Sequence, residues 1–339
     1  MKLDFSNRLI KWYNQNKRDL PWRLTKDPYK IWVSEIILQQ TRINQGQKYY
    51  YRFLKKFPEI SNLAQTNDDD LLKVWEGLGY YSRAINMLKT AKIVFFDLDS
   101  IFPTSYDELI KLPGIGDYTA SAISSICANE AQPVVDGNVF RLLSRIYKID
   151  LPINSLKTRT YFKKLGFELI KGVNPGDFNQ AMMDYGSLIC KPKKYECDIC
   201  LFSTACEAHN SNSVMLYPFK NKTKKVKERF LNYIVFVSKD NKTKITKRNS
   251  DGIWKNLYEF PLIESINEKS ADEIAKKIDI DLFDLLSSKK MKHKLSHQLL
   301  YITFFVFRVH DICDDFIEIK SLSNYPFPRP INKFISKLV

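Results

Sequence analysis

The sequence predicts a multi-domain chain in which a mostly α-helical part is followed by a smaller α+β part. The first 210 or so residues carry leucine, isoleucine and aromatic side chains at helical spacing, as in 31–38 and 139–149. The later segments 233–237 and 301–307 have the length and the β-branched or aromatic content of buried strands. The change in pattern places a domain boundary near Ser211.

Three segments follow from this boundary. We expect residues 1–211 to form the helical domain, 212–229 a basic linker and 230–339 the second domain. The linker ends in a lysine-rich stretch that is typical of a solvated connection. In the second domain Ser270–Ile278 has a capping residue and the spacing of one helix, which is why we class that domain as α+β.

The composition excludes a membrane-spanning protein. Of 339 residues, 44% are hydrophobic, but no apolar run approaches the roughly 18 residues that a spanning helix needs. Asp4 stands where a signal peptide would carry its basic and apolar regions. We therefore expect a cytoplasmic protein with no membrane partner.

The charge is strongly basic. Lysine and arginine total 53 against 38 aspartate and glutamate residues, a formal net charge of +15. A polyanion such as nucleic acid is one partner that this charge favours, because neutralising phosphates releases counterions. The alternative is that the excess charge only keeps the chain soluble, so the motifs must decide.

Four of the six cysteines lie in one short segment. Cys190, Cys197, Cys200 and Cys206 are separated by six, two and five residues. A structural zinc site usually has two close pairs of ligands separated by a longer spacer. This compact run instead offers four thiolates to one group that binds four cysteines. The spacing favours a [4Fe–4S] cluster over zinc or unligated thiols. Cys127 and Cys313 are expected to be ordinary core thiols.

A glycine-containing turn links two predicted helices at Leu112–Ala120. Gly114 and Gly116 permit positive φ and leave bare N–H groups near a helix N-terminus, which suits a phosphate. Most Gly-x-Gly pairs only mark turns. Here the preceding Leu-Pro and the small-residue helix that follows favour a helix-hairpin-helix motif that binds DNA.

Two carboxylates stand out. Asp136 immediately precedes a predicted helix, so it is either an ordinary N-cap or a partly desolvated acid able to stabilise positive charge. Glu35 lies in an apolar helix, where burial would push it towards the neutral form that a general acid needs. A structural glutamate with a buried partner is the alternative for Glu35.

Two further segments carry polar or aromatic groups suited to DNA. Gln39, Gln40 and Thr41 are expected to extend the helix of Glu35 with hydrogen-bonding groups able to enter a base stack. Tyr80 lies on a glycine-bounded turn, where its aromatic ring is expected to insert as a wedge between bases.

These motifs together resemble the adenine DNA glycosylase (MutY) branch of the helix-hairpin-helix glycosylases, which is related to endonuclease III. The resemblance extends over nearly the whole chain and rests on the four cysteines and on Trp22-Arg23, Asp27–Tyr29, Trp32–Glu35, Leu38–Thr41, Gly77–Arg83, Leu112–Ala120 and Val135–Asn138.

The resemblance implies a mostly α helix-hairpin-helix glycosylase domain with an iron–sulfur module, followed by an α+β Nudix-like domain. A six-helix module would span about 25–135. The N-terminal segment and 136–211 would form the module that binds the [4Fe–4S] cofactor. Glu35 and Asp136 would meet in the cleft between the two modules.

The implied activity is hydrolysis of flipped-out adenine mispaired with 8-oxoguanine or guanine. The resemblance implies that Glu35 protonates the adenine at N7 and then activates water, while Asp136 stabilises the sugar cation. Tyr118 and Asn138 would position the sugar and the carboxylates. Tyr118 stands where lyase-active relatives carry a lysine, so it forms no Schiff base and the enzyme would be monofunctional.

The implied DNA-binding residues include two in the second domain. There, 251–261 is similar to a Nudix-like stretch of the family, and Leu295-Ser296-His297 stands where Phe-Ser-His reads 8-oxoguanine. Leu295 keeps the apolar contact of the phenylalanine but loses its stacking ring. Ser296 and His297 are therefore the better-supported residues for recognising 8-oxoguanine. No complete Nudix phosphohydrolase signature is visible. The other DNA-binding residues expected from the motifs are Arg23, Gln39, Gln40, Thr41, Tyr80, Gly114 and Gly116.

The expected partner is double-stranded DNA containing A:8-oxoguanine or A:G mispairs, bound by a monomer associated with the nucleoid. Two other functions stay open at this point. One is a thymine-excising T·G mismatch glycosylase, against which Glu35 and the second domain argue. The other is a catalytically silent, cluster-bearing DNA-binding protein, against which the intact Glu35, Tyr118 and Asp136 argue.

Overall fold

The computed structural model describes residues 2–221, 226–278, 284–309 and 315–338. Cys313 and part of the expected linker lie outside these ranges. The helices are α1 (Lys2–Asn16), α2 (Pro28–Leu38), α3 (Ile43–Lys56), α4 (Ile60–Ala64), α5 (Asp68–Trp75), α6 (Ser82–Lys92), α7 (Tyr106–Leu109), α8 (Asp117–Cys127), α9 (Gly137–Ile146), α10 (Leu156–Leu169), α11 (Pro175–Leu188), α12 (Glu207–Asn210), α13 (Ala271–Ala275) and α14 (Arg329–Ile335).

The strands all follow the helical part of the chain. They are β1 (Lys227–Ser238), β2 (Lys242–Lys244), β3 (Thr246–Lys247), β4 (Tyr258–Glu259), β5 (Leu262–Ser265), β6 (Asp284–Lys294), β7 (Gln298–Val309) and β8 (Phe316–Glu318). The predicted order of a helical part followed by an α+β part is therefore confirmed. In the described part of the chain, no helix is both long and apolar enough to cross a membrane.

The chain divides into two compact units. Unit 1 comprises Met1–Ala64 and Lys89–Lys222, and unit 2 comprises Gln65–Leu88 and Thr223–Val339. Unit 2 therefore contains a piece of the helical part, which we name the α5 segment (Gln65–Leu88), together with the eight strands formed by the described residues. Each unit is described by itself below.

The core of unit 1 is built around α11, which packs against α1, α8 and α9. Pro175 occupies the first turn of α11 and the Asn174 side chain accepts a hydrogen bond from Asp177 N, so the helix has a well-defined start. Tyr185 of α11 is fully buried in the apolar cluster that α1, α9 and α10 also enter. This packing fixes α9, the helix that Asp136 precedes.

Helix α2 is apolar on almost every side. Asp27 caps it by accepting hydrogen bonds from Tyr29 N and Lys30 N, and Pro28 pre-sets its first residue. It packs against α3 and α8. A helix that is hydrophobic all round belongs in a protein interior, so every side chain from Ile31 to Ile37 is buried.

The expectation that Gln39–Thr41 extends α2 is wrong. The helix ends at Leu38, and Gln40 adopts a left-handed conformation with φ 58°. Thr41 N then donates to Leu38 O at 3.1 Å. A left-handed residue after the last turn ends a helix and satisfies its free carbonyls, so these polar side chains lie on a turn.

Unit 2 contains a four-stranded sheet in the order β5-β1-β7-β6. The central strands β1 and β7 run parallel, with Tyr233 opposite Phe304, and the two edge strands pair antiparallel to them. Successive residues of the central strands are buried on both faces, as expected for strands covered on each side. The predicted strands 233–237 and 301–307 are confirmed within β1 and β7.

Each face of the sheet is covered by a helix. On one face Phe304 stacks on Phe334 of α14 with ring centroids 4.1 Å apart. On the other face Phe305 lies in a cluster with Ile274 of α13. The predicted cap of α13 is confirmed, because Ser270 and Glu273 form a reciprocal capping box.

The α5 segment is tied to the strands of unit 2 by polar contacts. Asp69 accepts hydrogen bonds from Lys247 Nζ at 2.6 Å and from the Tyr258 hydroxyl at 3.0 Å. Glu76 accepts a hydrogen bond from Asn332 Nδ2 on α14. These contacts join side chains more than 170 positions apart, so helical periodicity could not predict them.

Replacing Gly186 tests the packing of α11 on α9. A Cβ atom there would lie 2.8 Å from Asn138 Cβ and 2.9 Å from Asn138 O, closer than real contacts allow. We expect Gly186→Ala to lower the free energy of unfolding by about 1–3 kcal/mol, the usual effect of overpacking. Urea unfolding followed by circular dichroism measures it.

Gly116→Ala is the matched control, because a Cβ at Gly116 meets nothing within 4 Å and its φ of −95° is ordinary. If both alanine variants stay within about 0.5 kcal/mol of the wild type, the close approach of α11 to α9 is contradicted.

Candidate active site

Glu35 lies in the middle of α2 with its side chain almost out of solvent, at 7% exposure. Burial raises the pKa of its carboxyl from 4.5 to about 7. A hydrogen bond from the Tyr118 side chain and the charge of Arg23 lower that pKa, whereas nearby Asp136 raises it. Glu35 is therefore an acid that holds its proton close to neutral pH.

Tyr118 lies in the first turn of α8 and reaches the Glu35 carboxyl with its hydroxyl. The same hydroxyl is 3.4 Å from Met183 Sδ. Burial, followed by the charges of Glu35 and Asp136, raises the pKa of Tyr118 well above its usual range. Tyr118 is therefore a neutral hydrogen-bond donor held between the two acids.

Asp136 is the N-cap of α9, and it is also the second acid of the site. Its Oδ1 accepts from Asn138 N at 2.9 Å and Val139 N at 2.8 Å, and its Oδ2 accepts from Asn138 Nδ2 at 2.7 Å. Burial raises the pKa of Asp136, and these hydrogen bonds oppose the rise. Asp136 is therefore both the N-cap of α9 and a partly desolvated acid, and its ability to stabilise positive charge stays a prediction.

Arg141 connects this site to the cysteine segment, and the sequence reasoning missed it. Its Nη2 donates to Asn138 Oδ1 at 2.9 Å, and its Nε donates to Cys190 O at 2.7 Å. The signal that could have found it is an arginine three residues after Asn138, within contact distance on one face of the predicted helix.

Arg23 is held by a carboxylate that the sequence reasoning also missed. Its Nη1 and Nη2 lie 2.7 and 2.9 Å from the two oxygens of Asp184, which is fully buried on α11 and also pairs with Arg18. These arginines keep the pKa of Asp184 below its usual value despite burial. Arg23 acts on the site electrostatically through Glu35, and its contact with DNA stays a prediction.

The polar turn after α2 and the glycine hairpin lie in the same unit as the two acids. Gln39 Nε2 is 3.4 Å from Thr119 Oγ1, next to Tyr118. Gln40 is exposed on the turn, and Thr41 is half-buried. In the hairpin Gly114 has φ 77°, which an L side chain would strain.

Gly116 precedes the first residue of α8, and space is open where its side chain would be. Neither its φ nor its neighbours require a glycine. The absence of a side chain there leaves open space beside the first turn of α8, where helix N–H groups favour an anion.

The four clustered cysteines line one pocket in unit 1. Cys190, Cys197, Cys200 and Cys206 lie in the wall of one partly open pocket, together with Arg145 and Tyr195. All four are free thiols. Burial raises the pKa of Cys190, Cys197 and Cys206, that of Cys197 to about 11, and a bound cation would favour the thiolate form.

Buried donors hold this cysteine segment in place. Arg145 of α9 is 2% exposed, and its Nη1 lies 3.3 Å from Cys190 Sγ and 2.8 Å from Lys191 O. The Tyr185 hydroxyl lies 3.2 Å from Cys200 Sγ. Hydrogen bonds of this kind stabilise a thiolate over a thiol.

In unit 2, Tyr80 and Ser296, both predicted to bind DNA, contact each other. Tyr80, with φ 49° and 44% exposure, shares a hydrogen bond between its hydroxyl and Ser296 Oγ. Ser296 and His297 are exposed in the tight turn between β6 and β7, where Leu295 N donates to Gln298 O at 2.8 Å. The turn therefore presents both polar side chains to solvent.

Chemically, the constellation in unit 1 pairs a neutral acid with a hydrogen-bonded carboxylate. Glu35 can give a proton near neutral pH, and the donors around Asp136 favour its charged form, which can face a developing cation. Tyr118 and Asn138 fix the positions of the two acids. Of the four residues predicted to be catalytic, all lie in this one cluster.

Two family models match the chain. The HhH-GPD superfamily base excision DNA repair protein model matches residues 33–166, and the NUDIX domain model matches residues 232–337. The two matched ranges correspond to the helical part and to most of the strand-containing part.

Named relatives match over the full length. The adenine DNA glycosylase of Buchnera aphidicola subsp. Schizaphis graminum is 37% identical, with 98% of this chain and 97% of that protein covered. Among solved structures, a thermostable thymine-DNA glycosylase matches with a TM-score of 0.57, 27% identity, and coverage of 62% of this chain and 97% of the other.

A trapped endonuclease III–DNA covalent intermediate has a similar fold, with a TM-score of 0.53 at 19% identity, covering 62% of this chain and 98% of the other.

The burial of Glu35 predicts a pH-dependent stability. Because the folded pKa of about 7 exceeds the ordinary 4.5, the folded state binds the proton more tightly. The stabilisation is complete below the unfolded pKa and is lost as pH rises through 7. We expect Glu35→Gln, which stays neutral, to gain about 3 kcal/mol relative to the wild type between pH 4 and pH 8.

Urea unfolding at both pH values measures this difference. Glu59→Gln, at an exposed position, is the control and should show no such change. Parallel pH dependences for the wild type and Glu35→Gln would show that Glu35 is not desolvated.

Proposed function

This chain belongs to the adenine DNA glycosylase family, and from that membership we propose that it hydrolyses adenine mispaired with 8-oxoguanine or guanine without cutting the DNA strand. Enzymatic action as an adenine DNA glycosylase in base-excision repair follows from the family. The finer substrate and the monofunctional character are the proposal.

The observation that carries the proposal is the neutral Glu35 carboxyl beside Tyr118 and Asp136. A nucleobase leaves the sugar as an anion unless its ring is protonated first, so excision needs a proton donor. A general acid works best when its pKa lies near the working pH, and the pKa of Glu35 is about 7.

In the proposed reaction, Glu35 gives its proton to the flipped adenine at N7 and the bond between base and sugar breaks. The departing adenine takes the bonding electron pair, which the proton neutralises, and the sugar becomes an oxocarbenium-like cation. The Glu35 carboxylate then accepts a proton from the attacking water. This returns the acid to its starting form and leaves an abasic site.

Asp136 is the residue that faces the sugar cation in this proposal. Three hydrogen-bond donors, two of them from Asn138, are directed at its oxygens and favour its charged form. Asn138 is held in turn by Arg141. The carboxylate is therefore pre-organised at the N-terminus of α9 before DNA binds.

The lesion opposite the adenine is proposed to be read in unit 2. The turn that carries Ser296 and His297 is exposed, and the Tyr80 hydroxyl meets Ser296. An exposed aromatic ring on a left-handed residue is suited to wedge between bases, and an adjacent hydroxyl can bond a base edge. The NUDIX match over 232–337 supports a recognition role for this part of the chain.

Contacts to the rest of the duplex are proposed for the polar turn Gln39–Thr41 and for the hairpin glycines. The turn places hydrogen-bonding groups near Tyr118, and the hairpin leaves helix N–H groups accessible for a phosphate. The net charge of +15 supports a polyanionic partner.

A [4Fe–4S] cluster is proposed as the group held by Cys190, Cys197, Cys200 and Cys206. The donor set fits, because four thiols line one pocket and basic or hydroxyl donors face Cys190 and Cys200. The spacing of the four cysteines, with no two close pairs separated by a long spacer, favours a cluster over zinc. A bound cluster would cross-link residues 190–206 through its bonds to the four thiolates.

The proposal is tested by single-turnover excision on duplexes carrying A opposite 8-oxoguanine, A opposite guanine and T opposite guanine. We expect fast release from the first, slower release from the second and none from the third. Ser296→Ala should narrow the difference between the first two. A preference for T opposite guanine would establish the thymine-excising alternative.

Glu35→Gln is the catalytic control for this assay. It should lower the excision rate by at least about 10²-fold, the usual contribution of general acid catalysis, while binding to DNA is retained. The wild-type rate should fall as pH rises above about 7, because Glu35 loses its proton there. No excision on any duplex would favour the silent DNA-binding alternative.

Monofunctional action predicts little covalent trapping. Strand cleavage by β-elimination needs an amine that attacks the sugar, and the phenol of Tyr118 cannot form an imine. With borohydride we expect little protein–DNA adduct from the wild type and more from Tyr118→Lys. Wild-type trapping at the rate of base release would overturn the monofunctional proposal.

The cluster proposal predicts a coloured protein that holds iron and sulfide through the four clustered cysteines. Cys197→Ser should lower iron and sulfide content and the visible charge-transfer absorbance, whereas the control Cys127→Ser should leave both unchanged. Metal analysis and absorbance spectra of anaerobically purified protein measure this. Stoichiometric zinc without sulfide in the wild type would contradict the proposal.

A further inference from the structure

The glycine hairpin of this chain carries an acid at the place where a phosphate is expected. Asp117 follows Gly116 directly and is the first residue of α8. A carboxylate in the first turn of a helix is favoured by the helix dipole and occupies the same positive end that would attract a phosphate. An uncompensated Asp117 would therefore oppose DNA binding.

The charge of Asp117 is compensated by a residue from a distant helix. Lys163 Nζ of α10 lies 2.8 Å from Asp117 Oδ1, and the Tyr106 hydroxyl donates to the same oxygen at 2.8 Å. Lys163 Nζ also donates to Ser121 Oγ, one turn further along α8, at 2.6 Å. The Lys163 ammonium therefore bonds to two acceptors on α8, the Asp117 carboxylate and the Ser121 hydroxyl.

The position of Lys163 differs from that of an ordinary surface lysine. Its side chain is 17% exposed, against 55% for Asp117. The ammonium lies 5.3 Å from the ring centre of Tyr106 and 5.8 Å from that of Phe167. Burial lowers the pKa of Lys163, and Asp117 opposes that change. The neighbouring Lys164 on the same helix is exposed.

We propose that Lys163 is a positioning residue for DNA binding, which makes the hairpin able to accept a DNA phosphate by neutralising Asp117. Lys163 does not itself contact the phosphate, because its ammonium is directed at Asp117 and Ser121. This inference rests on the proposed DNA-binding function and concerns how this chain's own hairpin achieves it.

The test is equilibrium binding of the full chain to a fluorescent, fully paired duplex from which no base is removed. Lys163→Met, which keeps the length of the side chain, should weaken binding by about threefold to tenfold, the scale of one uncompensated charge near the surface. Asp117→Asn should bind at least as tightly as the wild type. The double variant should return to within about twofold of the wild type.

Lys164→Met is the matched control and should stay within about twofold of the wild type. Lys163→Arg keeps the positive charge and should bind DNA like the wild type. This result would show that the loss of charge, and not the change of side chain, weakens binding by Lys163→Met. If Lys163 contacts a phosphate directly, the double variant stays as weak as Lys163→Met. Its salt slope would then also fall by about one unit, and the proposal is overturned.

Gly116→Val separates this inference from the proposed function. The Cβ of this valine has open space, its side chain should obstruct an approaching phosphate, and circular dichroism checks that the variant is folded. Unchanged binding by Gly116→Val would mean that the hairpin is not a DNA site, and the proposed contact fails. Weakened binding by Gly116→Val with normal binding by Lys163→Met would overturn the role of Lys163 alone.

Discussion

Removal of the Glu35 carboxyl from water is the constraint on which the active site depends. Its pKa is raised chiefly by burial, so the acid holds a proton near neutral pH only while α2 stays enclosed. The apolar faces of α2 and its packing against α3 and α8 provide that enclosure. The same packing brings Tyr118 to the carboxyl, so the helix that shields the acid also supplies its hydrogen-bond partner.

Helix α9 joins the two chemical regions of unit 1. Asp136 caps its first turn, Arg141 reaches from Asn138 to the backbone of Cys190, and Arg145 reaches Cys190 Sγ one turn later. A buried arginine persists only where its donors find acceptors. Order in the cysteine segment and order around Asp136 are therefore maintained by the same helix.

Unit 2 combines elements that are far apart in sequence. The α5 segment is held on the strands by Asp69 and Glu76, and the turn within it places Tyr80 against Ser296. A boundary drawn from composition alone assigns this segment to the helical domain. In the structure this segment belongs to the strand-containing unit, and polar contacts of its side chains bridge more than 170 positions.

The sequence by itself determined the two-part fold, the main helices and strands, and the cap of α13, and it predicted the residues that the structure brings together around Glu35 and in the cysteine pocket. Those features depend on short-range patterns, since periodicity, capping and motif spacing are local properties of a chain. Only the tertiary structure decided that Gln40 ends a helix, that Arg23 is paired with Asp184 and that Lys163 neutralises Asp117. The two ion pairs join side chains that are far apart in sequence and meet only through packing, which no local pattern encodes. The left-handed Gln40 is local, but glutamine is not a residue type that marks the end of a helix.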